Sequence, residues 1–501
     1  MTKKRILTLL LAILMLPPLT SCSETAEQSG ETTPSASEVT PTEVTETVAE
    51  EETRPQANIP EKDWDGSEWM AMGQTDTTYS QFSNHDIDAD EINGEALNDA
   101  IYNRNLTIEE RYNLVISQDI SSYRTFDVLP ALIMAGENLY DAVFCIINNV
   151  GASLATKGYL HDITALPYVD YNADWWNKEV NEQLSIANKL YFTTSDFALS
   201  DKQRVNVLFY NKALHEDLQL PDPVEMVREG TWTIDVMTEW VSQTGRDLDG
   251  DGQMTDQDMY GLGMDSYNAF KGFTIGGGAR IIGKDADDIP YLTMNDERMH
   301  SAVEKVLELT CDTNYALFCN DFNGKVSYDF WSVSSTIFKA GNMLFLNGFT
   351  HSLSAMSDSE IDYNVIPFPK LNEEQENYYT MVDMFSMTFG IPSSCTEEDV
   401  DFSAFVLEAL SWESTETTLY TYYDINCKRK YTYDETGAEM LDLIFSGLVY
   451  DLSLIYSWGG VSDILTVTIP TAKSNTFASE YTKKEKAANK LIDRTVSGFL
   501  E

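Results

Sequence analysis

Blocks of apolar and polar residues alternate along this chain in two different periods. Short apolar runs are typical of buried strands, and they fall at 68–73, 114–117, 140–147, 205–210 and 260–262. Segments with apolar residues three to four positions apart predict amphipathic helices, and they fall at 95–112, after the expected caps Thr233 and Asn295, at 402–410 and at 486–496. The stretch 440–452 is also expected to be helical. Because strands and helices take turns, we expect an α/β fold with mainly parallel strands. Such sheets bind ligands beyond the carboxyl ends of their strands.

The first 62 residues differ in composition from the rest of the chain. A basic start precedes an apolar run, Ile6–Leu16, that is too short to span a membrane, so residues 1–22 are expected to be a signal peptide. The peptide ends in Leu-Thr-Ser-Cys22, which resembles a bacterial lipobox and predicts a lipidated Cys22; an ordinary secretory signal is the alternative. Residues 23–62 are rich in Thr, Ser, Glu and Pro, which predicts a disordered acidic tether.

Charge excludes one class of partner. The chain has 81 acidic and 33 basic residues and a net charge of −48. Such a surface repels nucleic acid, so we expect no nucleic-acid partner. Five cysteines besides Cys22 show no metal-ligand spacing and are expected to be small buried residues, with a Cys311–Cys319 pair as the alternative.

An acidic loop follows the helix that begins after Thr233. Carboxylates stand at its positions 1, 3, 5 and 12, and Gly252 stands at position 6, where calcium loops make a sharp turn. The predicted Ca²⁺ ligands are the side chains of Asp247, Asp249, Asp251 and Asp258 and the backbone carbonyl of Gln253. The segment that follows the loop is expected to be a strand and not a second helix, so the ion is expected to stabilise the structure and not to act as a switch. A solvated acidic turn without an ion is the alternative.

Several segments together carry a family resemblance. LFYNKAL, EGTWTIDVMTEW and DLDGDGQMTDQDMYGLG lie between Val205 and Gly263, and further matches are spread over 66–500 in a consistent order. These segments resemble the extracellular solute-binding proteins of bacterial ABC importers, in the carbohydrate-type branch (family 1) that includes maltose-binding protein. The resemblance implies a two-lobed, periplasmic-binding-protein-like (Venus-flytrap) α/β fold with an interlobe cleft. It implies lobe 1 at 63–197 with 378–412 and lobe 2 at 198–377 with 413–501.

The function implied by the resemblance is solute capture. A surface-anchored lipoprotein on the outer face of the cell membrane would bind a sugar or oligosaccharide by lobe closure and deliver it to an ABC permease. We expect a monomer without catalytic activity. The alternatives are a ligand-sensing lipoprotein, a binder of a peptide or polyamine, and a secreted glycoside hydrolase, whose paired carboxylates leave no local sequence signature.

The resemblance also implies candidate ligand-binding residues. Tyr267, Phe349 and Trp458 fall where stacking aromatic residues occur in the family, and the further options are Trp175, Trp176, Trp331 and Trp412; packing in the core is the alternative for each. Asn148 and Asn149 follow the strand at 140–147 and are expected to face the cleft, whereas Asp196 lies at the expected hinge.

Overall fold

The fold is built on two separate β-sheets, one of four strands and one of five. The computed structural model describes residues 54–76, 83–121, 125–357, 359–431 and 435–500. Cys22, the signal peptide and residues 23–53 of the tether lie outside the described residues. Residues 56–501 form one compact unit. No helix in the part of the chain that the structure describes is both long and apolar enough to cross a membrane.

The strands fall into two larger sheets and two pairs. They are β1 (Ser67–Met72), β2 (Leu114–Asp119), β3 (Ala142–Ile146), β4 (Asn206–Asn211), β5 (Tyr260–Met264), β6 (Ile282–Lys284), β7 (Pro290–Leu292), β8 (Ala316–Phe318), β9 (Met343–Phe349), β10 (Tyr363–Ile366), β11 (Thr380–Met381), β12 (Met387–Gly390) and β13 (Leu448–Val449). The first sheet has the order β12-β3-β1-β2 and the second the order β10-β4-β9-β5-β8. The pairs are β11 with β13 and β6 with β7.

Helices surround both sheets. The α-helices are α1 (Ala96–Tyr112), α2 (Thr125–Ala135), α3 (Ile147–Asn149), α4 (Lys178–Leu184), α5 (Ser200–Gln203), α6 (Lys212–Asp217), α7 (Pro223–Glu229), α8 (Ile234–Thr244), α9 (Ala269–Gly276), α10 (Glu297–Cys311), α11 (Val333–Lys339), α12 (Ser352–Ser357), α13 (Glu397–Ser414), α14 (Glu435–Ser446), α15 (Leu452–Tyr456), α16 (Ile469–Ala472) and α17 (Phe477–Leu500). Shorter 3₁₀ turns include Phe330–Ser332 and Trp458–Gly460, and π-helical turns include Thr415–Leu419 and Thr421–Tyr431.

The parallel core of each sheet confirms the expected α/β architecture. β1 pairs in parallel with β2 and β3, and β5 pairs in parallel with β8 and β9. All five residues of β3 are buried, as is typical of a strand with helices on both faces of its sheet. In each sheet the chain adds antiparallel strands at one side, β12 beside β3 and β4 beside β9. The parallel strands of a sheet therefore end at a common edge.

The chain passes between the two sheets close to these edges. Thr193 exchanges two backbone hydrogen bonds of 2.9 Å with Phe389, the third residue of β12. Val205, immediately before β4, forms an antiparallel bridge with Val382. The two crossing segments thus lie side by side, and Asp196 lies on the first of them, between Thr193 and Val205; that it marks a hinge stays a prediction. The lobe boundaries given above stay a prediction.

The structure differs from the sequence-based expectations at three places. The folded part begins before residue 63, because Ile59 packs against the core and Lys62 pairs with Asp401 at 3.2 Å. The expected helical stretch 440–452 is interrupted by β13, which pairs with β11 instead of continuing α14. Asp296, and not Asn295, caps α10 through a 2.7 Å bond to the Met299 amide. The five cysteines within the described residues are all unpaired.

Candidate functional site

A cavity of about 580 Å³ lies at the carboxyl edge of the second sheet. Asp265 follows β5, Cys319 follows β8 and Phe349 ends β9, so parallel pairing brings these three positions to one side. The opposite wall includes Met384 and Phe385, which precede β12. The volume is within the range of roughly 300–1,000 Å³ that is typical of small-molecule sites.

The opposite wall is tied to the carboxyl end of the first sheet. The backbone N–H of Ile147, directly after β3, donates to the Ser386 carbonyl at 2.8 Å, and the Asn148 N–H lies 3.4 Å from the Met384 carbonyl. Both sheets therefore contribute strand ends to the surroundings of the cavity. This is where α/β sheets bind ligands.

Five aromatic side chains line the cavity, which is called the aromatic cavity below: Tyr267, Trp331, Phe349, Phe385 and the fully buried Phe209. Tyr267 and Trp331 are 43% and 41% exposed, and their ring centroids lie 6.0 Å apart at an interplanar angle of 34°. The Phe349 ring stacks on the imidazole of His351 at 5.6 Å and 12°. Exposed ring faces of this kind suit the flat C–H faces of sugars.

An ion pair lies behind the Phe349 and Phe385 rings. The Arg204 guanidinium lies 5.2 Å from the Phe349 centroid and 5.9 Å from the Phe385 centroid, and its Nε donates to Asp383 Oδ2 at 2.9 Å. Both partners are buried, and the backbone N–H of Asp383 also donates to the Arg204 carbonyl at 3.0 Å. Because Asp383 already balances its charge, Arg204 is not a free cation for an anionic ligand.

His351 presents a neutral ring at the cavity. Its Nδ1 lies 3.1 Å from the Gln203 carbonyl, which can only accept, so this nitrogen carries the proton. Burial and the neighbouring Arg204 charge lower the pKa of His351 to about 4. The ring is therefore uncharged at neutral pH, and its Nε2 is an acceptor.

Polar side chains complete the cavity wall. Asp265 Oδ1 accepts the backbone N–H groups of Tyr267 and Asn268 at 2.9 Å each, which fixes the turn after β5. Burial raises the pKa of the Asp265 carboxyl. Asn268 and Asn347 line the same wall and are nearly fully buried.

The structure brings three of the sequence-predicted residues together and separates the others from them. Tyr267, Trp331 and Phe349 line the aromatic cavity, whereas the further options Trp175, Trp176 and Trp412 do not. Trp175 and Trp176 are buried and donate to Glu408. Asn148 lies behind Met384 and is not a lining residue, and the side chain of Asn149 is outside the described part. Asp196 is 9% exposed, accepts a 2.8 Å bond from Thr415 and does not line the cavity, because it faces the turn after α13.

The prediction that Trp458 faces the cleft is wrong. Its side chain is 2% exposed, stacks on Tyr456 at 5.0 Å and 7°, and donates to Thr495 Oγ1 at 2.9 Å. Gly459 lets the backbone approach α17, since a Cβ there would lie 3.0 Å from the Ala488 nitrogen. The glycines thus serve packing against α17 and not access to a ligand.

The acidic loop closes as a compact ring. Arg246 and Met259 exchange backbone hydrogen bonds of 2.9 and 3.0 Å across its ends. Carboxylate oxygens of Asp247, Asp249 and Asp258 lie within 4.8 Å of one another. Asp251 is not part of this group; its carboxylate accepts the Gln253 backbone N–H at 2.7 Å. Hydrogen bonds from the Gly252 and Gly250 amides lower the pKa of Asp247.

A larger crevice of about 1250 Å³ lies beside β13 and α14. Its walls carry paired charges, among them Arg228 with Glu439 and Lys284 with Asp288 at 2.8 Å. Two of its tyrosines lie near cations, with Arg280 4.3 Å from the Tyr379 centroid and Lys370 5.4 Å from the Tyr378 centroid. The aromatic cavity is the better candidate, because Tyr267 and Trp331 present exposed rings there and it lies at the strand ends.

Solved structures share this fold. The chain aligns with a cyclo/maltodextrin-binding protein complexed with maltotetraose at a TM-score of 0.54 and 13% identity, over 86% of this chain and 96% of the other. An ABC substrate-binding protein from Listeria monocytogenes in complex with cycloalternan gives 0.50 and 14%, over 87% and 99%. A Mycobacterium tuberculosis protein in complex with glycerophosphocholine gives 0.51 and 14%, over 80% and 96%.

These similarities define the class of fold. The chain has the two-lobed α/β architecture of solute-binding proteins with a cleft between the lobes. No family model matches the chain, and no curated protein matches it.

Sequence reasoning missed most of the polar residues at the cavity. Arg204, Asp265, Asn268, Asn347 and His351 all line it. A usable signal was present for three of them, because Asp265 and Asn268 stand three and six residues after the run at 260–262 and Asn347 lies near the end of another apolar run. Polar residues at the carboxyl ends of parallel strands are expected at a binding edge.

Proposed function

We propose that this chain is an extracytoplasmic solute-binding protein that captures a sugar or oligosaccharide in the aromatic cavity. The observation that carries the proposal is the open aromatic wall at the carboxyl edge of a parallel sheet, with polar side chains beside it. Sugars need apolar faces for their C–H groups and fixed polar partners for their hydroxyls. Structures with the same fold include proteins complexed with maltotetraose and cycloalternan.

Solute capture by this fold proceeds through closure. A solute that touches the second sheet at Tyr267 and the segment at Phe385 contacts both sides of the cleft. Such a solute binds the closed state more tightly and shifts the population towards it. No covalent chemistry is required, and we infer that the protein is not an enzyme.

The proposal extends to the location and the partner of the protein. Lipid on Cys22 holds the mature chain at the outer face of the cell membrane, and the loaded form delivers its solute to the permease of an ABC importer. The basic start, the short apolar run and the Leu-Thr-Ser-Cys22 ending support the anchor. Sensing without transport is the second reading, and loss of solute uptake in cells that lack this chain would distinguish transport from it.

We also propose that the loop at 247–258 binds Ca²⁺ as a structural ion. Three carboxylates within 4.8 Å of one another repel, and a divalent cation removes that repulsion. The residues that would hold it are Asp247, Asp249 and Asp258, with Asp251 and the Gln253 carbonyl as the further ligands that the spacing predicts.

A thermal-shift screen followed by calorimetry tests the proposed function. The panel comprises maltotriose, maltotetraose, tagatose, glycerophosphocholine, spermidine and a tripeptide. A saccharide at one hundred times its Kd should stabilise the protein by about 2.7 kcal/mol, which raises the Tm by several degrees. Shifts with only spermidine or the tripeptide would overturn the sugar assignment, and fragments of maltotetraose after incubation would favour a hydrolase.

A further inference from the structure

A buried ion pair joins the two segments, 193–205 and 382–389, that cross between the sheets. Arg204 lies on the first segment and Asp383 on the second, with side chains that are 5% and 0% exposed. The Arg204 Nε donates to Asp383 Oδ2 at 2.9 Å, and Nη2 donates to the same oxygen. The Asp383 backbone N–H donates in return to the Arg204 carbonyl at 3.0 Å. Side chain and backbone bonds therefore hold these two residues against each other.

The position of the pair calls for an explanation other than stability. Both charges lose their hydration on burial, and their mutual attraction offsets that cost only when the geometry is very good. Replacing a buried ion pair by apolar residues of similar volume is often neutral or stabilising. A pair of this kind at the wall of a cavity is therefore explained better by the groups that it holds in place.

The same guanidinium faces an aromatic ring on each side of the cavity. It lies 5.2 Å from the centroid of Phe349 at the end of β9 and 5.9 Å from the centroid of Phe385 before β12. Both distances are within the roughly 6 Å over which a cation is attracted to a ring face. Asn206, two residues after Arg204, is in register with Phe349, and Asp383 stands two residues before Phe385. One ion pair thus links the rings of both walls.

We propose that Arg204 and Asp383 are positioning residues, whose ion pair holds the Phe349 and Phe385 rings at the spacing that a bound saccharide requires. This inference rests on the proposed function and assigns a role at the same site. The Arg204 side chain is almost fully buried, so the solute meets the rings and not the guanidinium. Binding groups need to be held within roughly 0.5 Å of the productive geometry, which buried partners of this kind provide.

The test removes the pair without leaving an unpaired charge. In the double variant Arg204→Met/Asp383→Leu both side chains become apolar, and the backbone bond between the two residues remains. The neighbouring buried cation Lys271 keeps the carboxylates of Asp265 and Asp451 beside it. The Tm should fall by less than about 2 °C or rise. The affinity for the saccharide that binds wild type should fall by roughly tenfold or more in calorimetry, because the rings lose their fixed spacing.

A conservative variant separates positioning from the filling of space. Arg204→Lys keeps a cation that can pair with Asp383, although it loses the planar fork, and its affinity should stay within about threefold of wild type. Lysine and methionine fill nearly the same volume, so a role in filling space alone predicts equal affinities for this variant and the double variant. If Arg204→Lys binds as weakly as the double variant, the ion pair does not position the rings and the assignment fails.

A second buried ion pair on the same crossing segment is the matched control. Lys202 pairs with Asp201 at 3.0 Å, their side chains are 9% and 2% exposed, and neither lines the aromatic cavity. Lys202→Met/Asp201→Leu should therefore leave the affinity unchanged at a temperature where the variant is folded. Lost affinity in this control would show that any disturbance of the segment weakens binding, which overturns the assignment.

The remaining outcomes separate this inference from the proposed function. Wild-type affinity in Arg204→Met/Asp383→Leu overturns the positioning role alone. Weaker binding that comes with a Tm several degrees lower in that variant overturns it too, because lost packing then explains the result. A wild type that binds no saccharide overturns the proposed function and the positioning role with it.

Discussion

Two tryptophans that the sequence treats alike should respond in opposite ways to truncation. Trp331 is 41% exposed at the aromatic cavity, whereas Trp458 is 2% exposed and stacks on Tyr456. Trp458→Ala opens a cavity in the core and removes the bond to Thr495, which costs roughly 3–5 kcal/mol. At about 2 °C per kcal/mol for a large domain, the Tm should fall by roughly 6–10 °C.

Trp331→Ala should instead affect binding. Its ring contacts Tyr267 and Phe330 and leaves one face open, so truncation should lower the Tm by less than about 2 °C. Loss of a stacking face at the centre of a site costs about 2 kcal/mol or more, which corresponds to an affinity roughly thirtyfold weaker. Differential scanning fluorimetry gives the Tm, and calorimetry with the saccharide that binds wild type gives the affinity.

The comparison of the two variants tests which of the two tryptophans contacts the ligand. Quenching of tryptophan fluorescence by the saccharide should disappear in Trp331→Ala and persist in the folded fraction of Trp458→Ala. If Trp458→Ala keeps its Tm and loses binding, Trp458 faces the ligand and the placement of the 457–460 turn against α17 is refuted. If Trp331→Ala binds the saccharide normally, the aromatic cavity is not the site.

Three further predictions concern stability, metal and anchoring. Burial raises the pKa of Glu408, which bonds to the indoles of Trp175 and Trp176, from 4.5 to about 7. As the pH rises, the unfolded state loses this proton before the folded state does, so the free energy of unfolding should fall by about 3 kcal/mol between pH 4.5 and 7. In urea unfolding, the free energy of Glu408→Gln should depend less steeply on pH than that of wild type. An equal dependence in the two proteins would show that another group causes the effect. Chelation with EGTA should lower the Tm of wild type but not that of Asp249→Ala, and equal melting of dialysed and Ca²⁺-loaded wild type would argue for an empty acidic turn. Cys22→Ala should release the protein from the membrane fraction, and retention on immunoblots of that fraction would count against lipidation.

Local patterns account for most of the secondary structure. Thr233 accepts the Val236 amide at the start of α8, as the sequence predicts, and α8 buries Met237, Trp240 and Val241 on one face. The order of strands and helices predicts parallel pairing, and β5 with β9 confirms it. These features depend on residues close in sequence, so the sequence alone is sufficient for them.

The features that could not be predicted from the sequence depend on contacts between residues far apart in the chain. The orientation of Trp458 depends on Thr495 and Ala488 of α17, about thirty or more residues later, which no local pattern near Tyr456 reveals. The helix expected over 440–452 is broken because Val449 pairs with Met381, a partner distant in sequence. Positions carried over from a resemblance are least secure where such pairings intervene.

A strongly acidic chain can bind an uncharged ligand, because the net surface charge and the contacts inside the cavity act over different distances. Charges on the exposed surface are screened within about 8–10 Å at physiological salt, so the net charge of −48 acts mainly on approaching macromolecules. Within the aromatic cavity, Arg204 is balanced by Asp383 and the His351 ring is neutral. The remaining wall carries aromatic rings, the side chains of Asn268 and Asn347, and the carboxyl groups of Asp265 and Asp329, which disfavour an anionic solute. Selection among solutes therefore follows from the match of rings and hydroxyls, and added salt should change the affinity for a saccharide little.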